Sequence, residues 1–578
     1  MKDYMKIYQE WLSNPYFDEA TKEELRAIEG NENEIKERFY MDLEFGTAGL
    51  RGIIGAGINR MNIYVVRRAT QGLANYIIKQ GAANKGVAIA YDSRHMSPEF
   101  AMEAAMTLAA NGIKAYKFES LRPTPELSFA VRELGCVAGI NITASHNPPE
   151  YNGYKVYWED GAQFTPPHDK GVTEEVLAIE DLSTVKTTDE ASATAAGLYQ
   201  VIGQEIDDKY IAQVKAQVVN QKAIDEMQDQ ITIVYTPLHG TGNIPARRVM
   251  KEIGFTHVYV VPEQELPNGD FPTVSYPNPE AKEAFELGLK LAKEKDADLV
   301  LATDPDADRL GVYVKDTKSG EYIPLTGNMS GSLLCEYVLS QKQAAGKIPA
   351  DGQVVKSIVS TNLIDAVAKS YGAELIEVLT GFKWIGKQIL KNETTGHGTY
   401  LFGMEESYGC LIGTYARDKD AVSASVALCE AAAYYKTKNM TLWDAMVAMY
   451  EKYGYYKDAV KAIGLKGIEG LAKIQNIMET LRKEAPAKVG EYDVVSARDY
   501  KLDTIKDMKT GAVTETGLPA SNVLYYDLND GAWVCVRPSG TEPKIKFYYG
   551  VKGTSLEDAD KKSAELGEAL MAMVDKML

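Results

Sequence analysis

Ser145 lies in Thr143-Ala144-Ser145-His146-Asn147-Pro148-Pro149, where a hydroxyl, an imidazole and a carboxamide sit on a proline-broken loop after an apolar run. Such a serine can carry a phosphoryl group or act as a nucleophile once a base or a metal activates it. His146 can orient the loop by hydrogen bonding or carry a proton. Alone, a serine turn ahead of two prolines is an ordinary structural feature. Three further polar loops give it weight. Asp304, Asp306 and Asp308 stand at alternate positions in Asp304-Pro305-Asp306-Ala307-Asp308-Arg309, directly after the apolar run 298–302. A tight loop can point three hard carboxylate oxygens inward, which suits Mg²⁺, and without a cation those carboxylates would repel one another. An EF-hand needs glycine where Arg309 stands and glutamate where Lys315 stands, so that reading fails. A phosphatase with an aspartyl nucleophile is weakened because Asp308 occupies the place of its threonine or valine.

Glu405 and Ser407, in Gly403-Met404-Glu405-Glu406-Ser407-Tyr408-Gly409, offer acceptors and a donor for vicinal sugar hydroxyls. The two glycines are expected to let that loop approach a ligand closely. Lys419, in Arg417-Asp418-Lys419-Asp420, can act as a general acid or base where neighbouring cations lower its pKa. Arg537, Ser539, Gly540 and Thr541 combine a guanidinium, two hydroxyls and backbone amides on a turn, a phosphate cradle reinforced by Lys544 and Lys546. A glycine-rich loop from Glu44 to Gly52 carries one arginine, Arg51. Together these loops supply what phosphoryl transfer to a hydroxylated substrate requires. There is no Gly-x-Ser-x-Gly elbow, which disfavours an esterase. Neither Gly346-Lys347 nor Gly386-Lys387 is followed by serine or threonine, so no Walker A loop is present and the phosphoryl donor must be the protein's own residue or the substrate.

The elements that must hold these loops recur three times. A β-branched run (87–91, 231–235, 354–359) precedes a helix (97–110, 244–253, 363–370) and a second strand (113–118, 257–261, 374–379). A third strand then ends in the serine, aspartate or glutamate loop. For the first helix, Ser97 reads as N-cap, Pro98 as the first helical residue and Asn111-Gly112 as the stop. Alternating strands and helices predict α/β layers whose ligands lie at the carboxyl ends of the strands. The expected fold is three similar mixed α/β domains around a central cleft plus a smaller C-terminal α+β domain. The chain divides into an N-terminal helical extension (1–45), domains at 46–200, 201–325 and 326–445, and a last domain at 446–578. That last domain contains a helix over 467–483, strands over 523–527, 532–536 and 544–550, and a closing amphipathic helix.

At 578 residues the chain exceeds one hydrophobic core. Its 81 acidic against 63 basic residues give a net charge of -18, which counts against nucleic acid and anionic membrane as partners and requires locally basic loops for any phosphorylated ligand. The five scattered cysteines lack a Cys-x-x-Cys pair and read as structural thiols of a reducing compartment. No apolar run approaches a membrane span and the N-terminus lacks a signal core, so a cytoplasmic protein is expected.

The four loops, in order from about Gly46 to the C-terminus, resemble those of the α-D-phosphohexomutase family. The resemblance implies that Ser145 is carried as a phosphoserine and that Asp304, Asp306 and Asp308 hold Mg²⁺ together with the serine phosphate. It further implies that Glu405 and Ser407 bind sugar hydroxyls, and that Arg537, Ser539, Gly540 and Thr541 grip the phosphate that is not reacting. Arg51, Lys155, Arg309, Lys419 and the Thr380-Gly381 turn match family site positions, and His239 belongs to a second-domain loop near the metal. Lys155 and Lys419 become the candidates for proton transfer and charge stabilisation. The implied reaction interconverts glucose 1-phosphate and glucose 6-phosphate through a bound glucose 1,6-bisphosphate that also serves as activator. Mannose or pentose phosphates are the alternative substrates, and a non-catalytic sugar-phosphate-binding protein the alternative role. A monomer is expected, with a dimer possible. The chain departs from many relatives at Pro305, where they carry glycine, and in the form of its phosphate loop.

Overall fold

The computed structural model describes residues 3–45, 49–465, 467–539 and 544–578, so the expected contributions of Gly46, Gly540 and Thr541 lie outside the described residues. Two compact units form, one of Met1–Leu325, Gly386–Gly396 and Gly409–Thr441, the other of Thr326–Ile385, His397–Tyr408 and Leu442–Leu578.

The first unit opens with three short helices, Tyr4–Ser13, Glu19–Arg26 and Glu32–Phe39, each started by a side chain that accepts a backbone N–H: Asp3, Asp18 and Asn31. Their apolar faces bury Tyr8, Trp11, Phe17, Leu25, Ile35 and Phe39 against Tyr64, with Trp11 stacked on Phe17. The polar extension thus joins the first domain through an aromatic cluster that includes Tyr64 of helix Ile63–Lys79. Two sheets follow. In the first, Val87–Tyr91 lies parallel to Ala115–Phe118 and to Ala138–Ile142, and Tyr199–Ile202 adds at the edge. Tyr151–Trp158 then returns antiparallel along Ala138–Ile142 and carries Leu50–Ile53 on its other side. In the second, Thr232–Thr236 lies between parallel His257–Val260 and Leu299–Thr303, and Leu310–Lys315 returns antiparallel. Every residue of Val87–Tyr91, Ala138–Ile142 and Leu299–Thr303 is buried, as strands covered on both faces require.

The serine and aspartate loops are therefore strand-to-strand turns, each leading into an antiparallel strand. The first predicted helix spans Ser97–Ala110, but Ser97 is not its cap. Met96 occupies the cap position in a left-handed conformation, and the Ser97 hydroxyl donates to Asp92 instead.

In the second unit Gly352–Ser357 lies between parallel Glu374–Val378 and Thr399–Glu405. Its C-terminal part is an antiparallel sheet in which Lys544–Gly553 pairs with Tyr455–Gly464 and with Trp533–Pro538. The helices Gly467–Lys483 and Leu556–Asp575 cover that sheet, burying Ile477, Phe547 and Leu570. Among the described residues no helix is long and apolar enough to cross a membrane, and all five cysteines are buried and outside any disulfide.

Candidate functional site

Ser145 takes φ 52°, a left-handed conformation uncommon outside glycine, which lifts its side chain off the end of Ala138–Ile142. Its hydroxyl donates to Asp304 Oδ2 at 2.6 Å and lies 3.1 Å from His146 Nδ1. The two loops that the sequence singled out, 159 residues apart, meet at this bond.

The serine loop is held mainly by a residue that the sequence reading did not single out. Arg94, 1% exposed, donates to the carbonyls of Ser145 (2.6 Å), Asn147 (2.5 Å), Pro148 (2.8 Å) and Tyr151 (3.0 Å). Its planar, multi-donor head suits four acceptors in a way that a lysine cannot match. Asp92 completes the support. It accepts the Arg94 amide and the Thr143 hydroxyl, and Thr143 in turn accepts the Ser145 amide. Both Asp92 and Arg94 follow the strand Val87–Tyr91 at its carboxyl end, and that position was the available signal.

The aspartate loop is closed by its own backbone. Asp304 Oδ1 accepts the amides of Asp308 (3.1 Å) and Arg309 (3.0 Å), and Ala307 turns through φ 50°. Asp306 Oδ2 accepts Lys155 Nζ at 2.7 Å and the Thr124 hydroxyl at 2.8 Å. Thr124 is itself engaged by Asn141 Nδ2 at 2.7 Å. Lys419 Nζ lies 3.1 Å from Asp308 Oδ2 and 2.9 Å from Asp418 Oδ1. The three carboxylates offer ligand atoms within 4.8 Å of one another. Asp306 Oδ1 and Asp308 Oδ1 are buried without a hydrogen-bond partner, although buried polar atoms are nearly always paired. Hard, converging, undonated carboxylate oxygens fit a divalent cation, so the triad can bind a metal.

The electrostatics agree. Burial, then the charges of Asp306 and Asp308, push the Asp304 carboxyl well above its ordinary range. Burial and Asp306 also raise Asp308, against the pull of Lys419 and Lys155. Burial acts to raise Asp306 too, but the charge and hydrogen bond of Lys155 outweigh it and hold Asp306 below the ordinary range. A carboxyl whose folded pKa is raised withdraws stability as pH rises through that pKa. In chelator at neutral pH, Asp304→Asn should therefore melt higher than the parent by about 2 °C. The same substitution should lose the rise in melting temperature that Mg²⁺ gives the parent. Thermal scans with EDTA and with Mg²⁺ check both.

His146 is half-buried. Burial, followed by the charges of Arg309 and Arg51, pushes its imidazole well below the ordinary value, which favours the neutral ring beside the Ser145 hydroxyl. Arg51 reaches Asn147 Oδ1 at 3.0 Å. Arg309 contributes to the loop through its amide, while its guanidinium pairs with Glu280 at 2.8 Å. His239 sits in a loop whose Thr241 amide and hydroxyl both donate to the Pro305 carbonyl, but its own ring bonds to the Leu266 carbonyl and the Thr273 hydroxyl.

Strand Tyr151–Trp158 places Lys155 and Tyr157 on one face. Tyr157 OH donates to Asp418 Oδ2 at 2.9 Å, and Asp418 holds Lys419. Burial and the Asp418 charge push the phenol far above its ordinary range, so it remains a donor. Gly409 makes room for the Lys419 stem, since a Cβ there would fall 2.0 Å from Lys419 Cδ. Tyr157→Phe should lower turnover about tenfold with KM nearly unchanged, because a hydrogen bond to a charged group is lost while the ring remains. Steady-state kinetics measure it.

In the second unit Glu405 Oε1 accepts the Gly381 amide at 2.6 Å, which joins two predicted site elements, and Thr380 Oγ1 is buried without a partner. Ser407 is half-buried beside them in sequence. Gly403 is not a loop residue. It lies within strand Thr399–Glu405, and Tyr400 OH stands 2.5 Å from where its Cβ would be. Glu406, which the sequence reading passed over, accepts the Ser357 hydroxyl at 3.0 Å, and burial raises its carboxyl against the opposing charges of Arg537 and Lys546. Arg537 lies in strand Trp533–Pro538, and the Ser539 amide donates to the Lys544 carbonyl at 2.7 Å.

The chain matches the four domains described as phosphoglucomutase/phosphomannomutase, alpha/beta/alpha domains I, II and III and C-terminal domain, over residues 42–183, 208–320, 326–453 and 494–564. It is 34% identical to the phosphoglucomutase of Staphylococcus saprophyticus, covering 96% of this chain and 97% of the relative. It is also 34% identical to a Schizosaccharomyces pombe protein named "Probable phosphoribomutase", covering 98% and 96%. Among solved structures, parafusin (phosphoglucomutase) of Paramecium superposes with a TM-score of 0.67 at 18% identity, covering 92% of this chain and 96% of that one, and shares the fold. The class is that of a mutase, an isomerase of three α/β domains and a C-terminal domain. The chain belongs to the phosphoglucomutase/phosphomannomutase family.

Proposed function

We propose that the protein interconverts α-D-glucose 1-phosphate and glucose 6-phosphate as a Mg²⁺-dependent phosphoglucomutase. The observation that carries the reading is the 2.6 Å bond from Ser145 Oγ to Asp304 within a buried aspartate triad flanked by two lysines. In the proposed cycle phospho-Ser145 yields its phosphoryl group to the free hydroxyl of the hexose 1-phosphate. The P–Oγ bond breaks and a P–O bond to the sugar forms; the hydroxyl proton passes to Lys419 Nζ acting as the neutral amine, and the departing Ser145 Oγ takes up a proton to become the serine hydroxyl again. The resulting glucose 1,6-bisphosphate turns over and returns its other phosphoryl group to Ser145 Oγ. Lys155 stabilises charge beside Asp306, and neutral His146 orients the Ser145 oxygen that gives up and takes back the phosphoryl group. Asp304, Asp306 and Asp308 would hold Mg²⁺, which when bound neutralises developing charge on the phosphoryl oxygens. Glu405, Ser407 and the Thr380-Gly381 turn are assigned to sugar hydroxyls. Arg51, Arg309, Arg537, Ser539, Gly540 and Thr541 are assigned to phosphate and to holding the loops.

A second reading, a phosphopentose mutase, is favoured by the similarity to the Schizosaccharomyces pombe protein over nearly the whole chain. Coupled assays comparing glucose, mannose, N-acetylglucosamine and ribose 1-phosphates under saturating bisphosphate activator decide between them. The glucose reading predicts the highest kcat/KM for glucose 1-phosphate. A preference for ribose 1-phosphate overturns it, and release of free phosphate in place of isomer would indicate a hydrolase.

A further inference from the structure

The Arg94 guanidinium, which clamps the serine loop, is covered on one face by Phe271, with Cζ 5.0 Å from the ring centroid. Phe271 belongs to a turn of the second α/β layer, far in sequence from anything the proposed chemistry uses. The turn is built to reach Arg94. Asn268 Oδ1 accepts the Asp270 amide, and the Asn268 carbonyl accepts the Phe271 amide. A Cβ on Gly269 would lie 2.8 Å from the His95 amide nitrogen, so only glycine permits the approach. Asp270 Oδ1 meets His95 Nε2 at 2.6 Å. Phe271 is fully buried at φ 46°, a conformation that a bulky residue rarely takes. Its ring also lies 6.4 Å, centroid to centroid, from His239, whose loop is tied through Thr241 to the Pro305 carbonyl of the aspartate loop. A continuous packed path thus runs from the aspartate loop through the His239 loop, Phe271 and Arg94 to the Ser145 carbonyl.

We propose that Phe271 is a positioning residue for phosphoryl transfer: its aromatic face seats the Arg94 guanidinium and thereby fixes where Ser145 stands over the aspartate triad. The proposal rests on the mutase reading above. A cation held against a ring face is both attracted and oriented, whereas an aliphatic side chain of similar size fills the space without orienting it. Because transfer depends on sub-ångström placement of the serine oxygen, loss of the ring should slow chemistry while leaving binding intact.

The test follows single-turnover labelling of the full-length protein by ³²P-glucose 1,6-bisphosphate, alongside KM for glucose 1-phosphate and Mg²⁺ affinity by calorimetry. Phe271→Leu should label about tenfold more slowly, with KM and Mg²⁺ affinity within about twofold of the parent. Phe271→Tyr, which keeps the aromatic face, should recover to within about threefold of the parent rate. Gly269→Ala, which displaces the turn and leaves the ring intact, should reproduce the Leu phenotype. Equal labelling rates for the Leu variant and the parent overturn the proposal while leaving the mutase reading standing. So does a Tyr variant as slow as the Leu variant, or a slow Leu variant whose KM and Mg²⁺ affinity deteriorate in parallel. A parent protein that takes no acid-stable label overturns the mutase reading and this proposal with it.

Discussion

Ser145→Ala should lower mutase turnover by about four orders of magnitude and abolish acid-stable labelling by ³²P-glucose 1,6-bisphosphate, an effect of the size seen when a nucleophile is removed from a preorganised site. The reason lies in what else could take over. The second hydroxyl bonded into the triad is Thr124, which donates to Asp306 and accepts from Asn141. Its oxygen is fully buried, with its proton held by Asp306 and one lone pair held by Asn141, so it offers a phosphoryl group no path of approach. Mg²⁺ should still bind through the three aspartates, more weakly than to the phosphorylated parent, whose serine phosphate supplies a further ligand, and about as well as to the unphosphorylated parent. Activity is read by the coupled assay, label by acid precipitation and metal binding by calorimetry. Label of undiminished intensity on the alanine variant would move the phosphoryl carrier to another residue.

The sequence showed where polar loops interrupt an α/β pattern, because side chains with chemistry at the ends of apolar strands have no structural reason to be there. The resemblance to the family then implied that Ser145 and the aspartates, 159 residues apart, share one metal, and the structure shows the bond between them. The sequence did not show what holds the loops. Arg94 works through four backbone carbonyls, and carbonyls carry no residue identity, so no side-chain pattern announces the clamp. Tyr157 reads as one more apolar position in a strand until the fold sets its hydroxyl against Asp418. Ser97 has the residue type of a cap, but a left-handed Met96 starts the helix one residue early and frees the hydroxyl for Asp92. Gly403 reads as loop because glycine is rare in strands, yet Tyr400 fills the space that its missing side chain leaves. Local propensity located the elements, and tertiary contacts decided these four details.

Lys155→Met should lower turnover by about a thousandfold and destabilise the metal-free protein by about 3–5 kcal/mol, since breaking a buried ion pair strands its partner. Lys155 is 5% exposed, 2.7 Å from Asp306 Oδ2 and 3.8 Å from Asp308 Oδ2, and is thus the cation that the protein sets against Asp306, as Lys419 is set against Asp308. In the parent its charge keeps Asp306 ionised below the ordinary carboxylate range, so that group contributes stability at neutral pH that is lost only as pH falls through its lowered pKa. Without Lys155, burial of Asp306 is opposed only by the hydrogen bonds from Asp304 and Thr124, and the sign is expected to reverse, so that its ionisation costs stability as pH rises. The gap in melting temperature between variant and parent, measured in EDTA, should therefore narrow as pH is lowered from about 8 to about 5. Saturating Mg²⁺ should narrow it as well, because the metal supplies the missing positive charge. Adding Asp306→Asn to Lys155→Met should restore part of the lost stability while leaving the enzyme inactive, since the orphaned charge is removed but the triad is not rebuilt. A gap independent of both pH and Mg²⁺ would mean that Lys155 acts by packing, and that the charge balance of the pocket is set elsewhere.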